Sequence, residues 1–144
     1  MRTKLFSALL LTLALPLAAQ ITSSLGAAPD IPQGDLLHMT GVSGVVRSGD
    51  EVRGTLTWTI LDGWHINSNK PLDQFVIPTE LKLDPATADL VSAEFPPHIL
   101  RSFAFTGGSK LAVYEGTITI HFVAKLKSGA DKILGRIHYQ AVAG

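Results

Sequence analysis

Between Glu51 and Ile60 the chain alternates: Val52, Leu56, Trp58 and Ile60 fall on one side, with Gly54 among them, and Arg53, Thr55, Thr57 and Thr59 on the other. A period of two, rich in threonine and in β-branched or aromatic residues, predicts a strand with one buried face. A helix would scatter the same apolar residues around its axis. Asp62-Gly63 supplies turn chemistry, Trp64-His65-Ile66 resumes the strand briefly, and the polar run Asn67-Ser68-Asn69-Lys70-Pro71 reads as an exposed loop.

The same reading extends to the rest of the chain. Leu36 to Val46 predicts a first strand, weakened by Gly41 and Gly44, and Arg47 to Asp50 a turn into the second. Phe75 to Pro78 is apolar and extended, because a proline restricts its predecessor. Glu80 to Asp84 alternates again and stops at Pro85, which cannot donate to a ladder. Leu90 to Phe95 is a further candidate, closed by Pro96-Pro97. Leu111 to Lys127 gives the longest strand pattern, with Ile118, Ile120, Phe122, Ala124 and Leu126 inward and Thr117, Thr119, His121, Lys125 and Lys127 outward. Ser128 to Asp131 reads as a hairpin-like connection to a last strand, Ile133 to Val142. About seven strands separated by turns, with no convincing helix in the mature chain, predict an all-β antiparallel β-sandwich.

Residues 1–20 stand apart from this pattern. Arg2 and Lys4 precede an apolar run from Leu5 to Leu17, and Ala18-Ala19-Gln20 offers small residues for cleavage, which is the make-up of a secretory signal. The run is too short to favour a permanent span, so residues 1–20 are expected to be removed near Ala19, an uncleaved anchor being the alternative. Residues 21–34 read as a flexible leader and 35–144 as one domain, periplasmic or extracellular.

Composition narrows the functional classes. Without Arg2 and Lys4 the 12 basic residues fall to 10 against 12 acidic, a net charge of −2. With no block of like charge, neither nucleic acid nor an anionic membrane surface is the expected main partner, and the mature domain is not expected to insert stably in a membrane. There is no cysteine, so neither disulfides nor thiol chemistry are available to this chain.

Five histidines, His38, His65, His98, His121 and His138, raise a metal hypothesis. None of their spacings is that of a helical zinc motif, and no metal site or cofactor is assigned. No serine sits in a Gly-x-Ser-x-Gly elbow, and no carboxylate pair is recognisable. The longest irregular stretch, Pro96 to Lys110, combines prolines and glycines with Phe103 and Phe105, which either cover something or bind something. Trp64 and Tyr139 read as a binding patch or as core aromatics.

With these stretches in place, the chain resembles the N-terminal periplasmic domains of the DsbD thiol:disulfide interchange family. The resemblance covers roughly the last hundred residues. It rests on Gly63-Trp64-His65-Ile66-Asn67-Ser68, on Ile77-Pro78-Thr79 leading into Leu81 and Leu83, on Lys110-Leu111 with Val113-Tyr114-Glu115-Gly116, and on Tyr139-Gln140-Ala141. It implies an immunoglobulin-like fold that receives electrons from a membrane-embedded donor domain and passes them to periplasmic thioredoxin-like proteins, as in cytochrome c biogenesis.

The family's chemistry uses two cysteines, the first directly after the Tyr-Gln-Ala-type strand end. That position is Val142 here, and the second would fall beyond Gly144, as though a longer protein had been cut. The family's cap loop, whose aromatic residue shields the cysteines, corresponds to Phe103 to Gly108, with Phe105 the better match. The expectation is a docking domain without redox activity of its own. Its contact residues would be Phe103, Phe105, Tyr139, Gln140 and Trp64, and it would have no catalytic residue. A secreted immunoglobulin-like binding or scaffold module without a redox role is the alternative.

Overall fold

In a computed structural model the described residues are 2–14, 20–25 and 36–143, the first two stretches as backbone strands. The fold is an immunoglobulin-like β-sandwich of two antiparallel sheets. The first strands are β1 (Arg2–Ala14), β2 (Gln20–Leu25), β3 (Leu37–Ser48), β4 (Glu51–Ile60), β5 (Trp64–Asn67) and β6 (Glu80–Leu83). They are followed by β7 (Ala88–Glu94), β8 (Ile99–Ser102), β9 (Lys110–Tyr114), β10 (Thr117–Leu126) and β11 (Lys132–Ala143). One sheet runs β3-β4-β10-β7. The other runs β2-β1-β11-β5-β9-β8, with β6 also pairing with β11.

The alternation in β4 and β10 does what its period requires. Val52, Leu56, Trp58 and Ile60 meet Ile118, Ile120, Phe122, Ala124 and Leu126 in one core, closed from the other sheet by Ile66, Ile133, Ile137 and Tyr139. Gly54 stands opposite Phe122 in the ladder. A Cβ on Gly54 would come within 3.1 Å of the Phe122 ring, so the glycine makes room for the aromatic side chain.

Three expectations are corrected by pairing and a fourth by a turn. The long pattern from Leu111 to Lys127 is two strands in different sheets, because Gly116, with φ of 69°, turns the chain across the sandwich between β9 and β10. The irregular Pro96–Lys110 stretch contains β8, which pairs along β9 from Ile99 to Ser102, and a 3-10 turn at Ala104–Thr106. The Ser128–Asp131 segment does not join a hairpin, since β10 and β11 belong to different sheets. Phe75 to Pro78, expected to be extended, begins in a turn in which the Val76 N–H donates to Asp73 O at 3.2 Å, and Phe75 is 85% exposed.

The polar run after β5 is the sharpest difference. Asn67 and Ser68 are each only 1% exposed. Backbone and side-chain partners make that burial possible: Ser68 N–H donates to Ala112 O at 2.9 Å, and the Thr79 hydroxyl donates to Asn67 O at 2.6 Å.

The apolar start read as an export signal forms β1, running antiparallel to β11 from Arg2 opposite Ala143 to Ala14 opposite Lys132. Of the expected leader, Gln20–Leu25 forms β2, and 26–35 lie outside the described residues.

Candidate functional site

Three strands of the β11 sheet converge on Val142. β5 lies between β11 and β9, so that Val142 stands opposite His65, while Val113 on β9 stands opposite Asn67 on one side and Ile99 on the other. Val142 and Val113 are buried and pack with Phe103 in a small apolar cluster of their own, flanked by Ile99 and Leu111.

Phe103 is held over this cluster by a tight turn. The Thr106 backbone N–H donates to Phe103 O at 2.9 Å. The Thr106 hydroxyl also donates to that carbonyl, at 2.7 Å, and accepts from the Phe103 N–H at 3.1 Å. Phe105 stacks on the outer face of Phe103 with ring centroids 5.5 Å apart, and is 37% exposed. The order from core to solvent is therefore Val142, Phe103, Phe105. Phe103, not Phe105, is the aromatic side chain packed against Val142, because the turn directs Phe103 inward and leaves Phe105 outside.

His65 meets Phe103 edge-on, at 5.1 Å between centroids. Its Nε2 lies 2.8 Å from Glu115 Oε2, and Arg101 donates to Glu115 Oε1 at 2.9 Å. An ionised carboxylate only accepts, so the Nε2 atom carries a proton and donates, which leaves Nδ1 as the ring nitrogen facing away from Glu115. That Nδ1 is buried with no hydrogen-bond partner among the described residues, so no relay runs from it to a hydroxyl. Desolvation alone would raise the Glu115 carboxyl, but hydrogen bonds from His65 and Arg101, with the Arg101 charge, outweigh it and hold the group below its ordinary 4.5. Glu115 thus ties β8, which leads into the turn, to β5 beneath it. A cleft of ≈ 390 Å³ opens beside this tie, lined by His65, Arg101, Ser102, Phe103, Ala104, Phe105 and Ala143.

The other expected contact residues lie elsewhere. Tyr139 is 1% exposed in the main core, where burial raises its hydroxyl above the ordinary value, so its side chain presents no surface to a partner. Trp64 is half-buried against the same core. Gln140 is half-buried and accepts from Asn67 Nδ2 at 2.9 Å, and the same amide donates to Ile77 O at 2.9 Å. Tyr114 donates to Asn69 Oδ1 at 2.7 Å. Residues of three of the sequence stretches that carry the family resemblance, Asn67, Ile77 and Gln140, therefore meet through the Asn67 amide, while Tyr114 makes a separate bond to Asn69.

Sequence reasoning did not single out Arg101, and named His65 and Glu115 within the stretches that carry the resemblance without assigning either a role, His65 being also one histidine of five. The tie is formed across strands, His65 and Glu115 being 50 positions apart in the chain, and no local pattern reports it. No group of three or more possible metal ligands occurs among the described residues. His121, a candidate ligand, has Nδ1 2.8 Å from the Thr55 hydroxyl on the neighbouring strand. No protein-family model matches the chain, and no curated protein matches it significantly.

Proposed function

We propose that this chain is an exported docking domain of the thiol:disulfide interchange type, which binds periplasmic thioredoxin-like proteins and performs no redox step itself. The observation that carries the reading is the packing of Phe103 over Val142, the residue at the family's first cysteine position, with Phe105 exposed above it. A valine side chain forms no thiolate, and the chain has no cysteine, so it cannot attack or accept a disulfide. What the site offers is an exposed aromatic ring, an amphipathic cleft and a loop tethered by charged groups. That is the make-up of a contact surface, where a few aromatic and arginine anchors carry most of the energy.

The test is titration of the exported protein with a periplasmic thioredoxin-like protein, followed by NMR. Shifts should centre on His65, residues 101–106 and Ala143. Phe105→Ala should weaken binding by about tenfold, the effect of losing one anchor. Insulin reduction by the chain alone should be undetectable. Binding that leaves these residues unmoved, or no binding at all, would favour a scaffold module without a redox partner. Processing has its own readout: the exported protein should begin between Ala19 and Ala28 by mass spectrometry, and an intact Met1 in the membrane fraction would remove the export part of the proposal.

A further inference from the structure

The edges of the two sheets are not treated alike. β3 is 12 residues long, but two register shifts leave Thr40 and then Gly44-Val45 without partners on β4. β7 carries an extra residue, Val91, between the partners of Val123 and Ala124. β8 has only four residues and includes Arg101. Bulges, short length and charge are the means by which sheets block edge-to-edge pairing. β11 is neither short nor bulged, although it carries Lys132 and Arg136: all of its 12 residues pair with β1, and the one irregularity, the extra Ala8, lies on β1.

The strand seated there is the stretch whose composition is that of a removable export signal. When it leaves, one edge of β11 loses its backbone partners, and unpaired N–H and C=O groups in a long flat strand form a template for another chain. We propose that the processed chain presents β11 as an acceptor for an added strand. Its occupant is an extended segment of a partner polypeptide, running antiparallel, with no basic residue opposite Lys132, Arg136 or His138 and with large apolar residues at alternate positions.

The β1 register sets that pattern. Leu13, Leu9 and Phe6 stand opposite Ile133, Ile137 and Tyr139, the inward-facing residues of β11. β11 carries Lys132, Arg136 and His138 and no carboxylate, so a second copy would set two basic strands side by side. The Gln20–Leu25 segment, which stays behind when cleavage falls at Ala19, is mostly polar and fits the pattern poorly.

The inference rests on the export part of the proposed function, and the experiment separates the two. The probe is a synthetic peptide of the Arg2–Ala14 sequence, added to the exported chain after its mass has been measured. The uncleaved precursor serves as the reference. Amide hydrogen exchange at every second residue between Ile133 and Val142 should be fast in the processed chain and slow by about tenfold or more on addition of the peptide. The same peptide with both Leu10→Pro and Leu11→Pro, which removes a donor facing β11 because successive N–H groups point to opposite edges, should give no protection. An intact Met1 defeats both the export reading and this inference, because β1 then closes the edge itself. A processed chain that the peptide leaves unprotected overturns the acceptor edge alone. Protection already present without peptide also overturns it, and the mass in solution tells whether a second copy or the chain's own leader fills the edge.

Discussion

Asn67 and Gln140, 73 residues apart in the chain, are joined side chain to side chain, the Asn67 amide donating to the Gln140 carbonyl oxygen at 2.9 Å. The bond links β5 to β11 at the level where Val142 approaches Phe103. The second Asn67 amide bond, to Ile77 O, anchors the segment that leads into β6. One buried side chain therefore sets the position of three parts of the sheet beneath the candidate site.

Removal of that side chain should be costly. Asn67→Ala leaves the carbonyl oxygens of the half-buried Gln140 and Ile77 without their donor, and the expected loss of stability is about 1–3 kcal/mol. Equilibrium unfolding in urea measures it. A loss below about 0.5 kcal/mol would mean that water replaces the amide and that the network does not hold the strands.

The core prediction is independent of the site. Phe122 is 4% exposed opposite Gly54, so Phe122→Ala removes a full ring from a closed core. The expected cost is roughly 3–5 kcal/mol. Gly54→Ala should also destabilise, by about 1–3 kcal/mol, since its methyl group meets the same ring with no space left.

Phe103 packs against Val142, so it should control access to position 142. A Val142→Cys variant should react slowly with a small aromatic disulfide, and adding Phe103→Ala should speed the reaction by roughly tenfold. Phe105→Ala should have the smaller effect, because Phe105 stacks outside Phe103. With a single thiol only mixed disulfides can form. Thr119→Cys, on an exposed strand position, is the control: its rate should ignore both phenylalanines. Equal rates at position 142 with and without Phe103 would show that the turn is not a lid.

The loop tether should depend on pH. The Glu115 carboxyl is held below its ordinary value in the folded state, so its contribution is present above that value and lost as pH falls through the lowered one. NMR relaxation of residues 101–106 should therefore show increased motion only in acid, below the ordinary carboxylate range. Glu115→Gln, which cannot pair with Arg101 as an anion, should show that motion at neutral pH as well. A loop equally ordered at both pH values would assign its order to the Phe103 packing alone.

Much of the sandwich follows from local pattern. The alternation in Val52–Ile60 and Ile118–Leu126 determines both the strand type and the buried face, because side chains on a pleated strand point alternately to its two sides. The absence of cysteine determines that no thiol chemistry occurs, whatever the fold. Which strands share a sheet is not contained in that periodicity. The split at Gly116, the pairing of Ile99–Ser102 with β9 and the burial of the polar Asn67-Ser68 pair all depend on partners supplied from distant parts of the chain.

The candidate site divides in the same way. Phe103 and Phe105 were legible as aromatic residues in a glycine-rich segment, and Val142 as the residue after a strand-end motif. Their order was decided by a three-residue turn that directs one ring inward and the other outward. The His65–Glu115–Arg101 tie was decided by the ladder, which brings β5, β8 and β9 side by side. Hydrophobic periodicity reports which way a side chain faces. Hydrogen bonds and ion pairs between strands require knowing which strands are neighbours, and only the tertiary structure contains that.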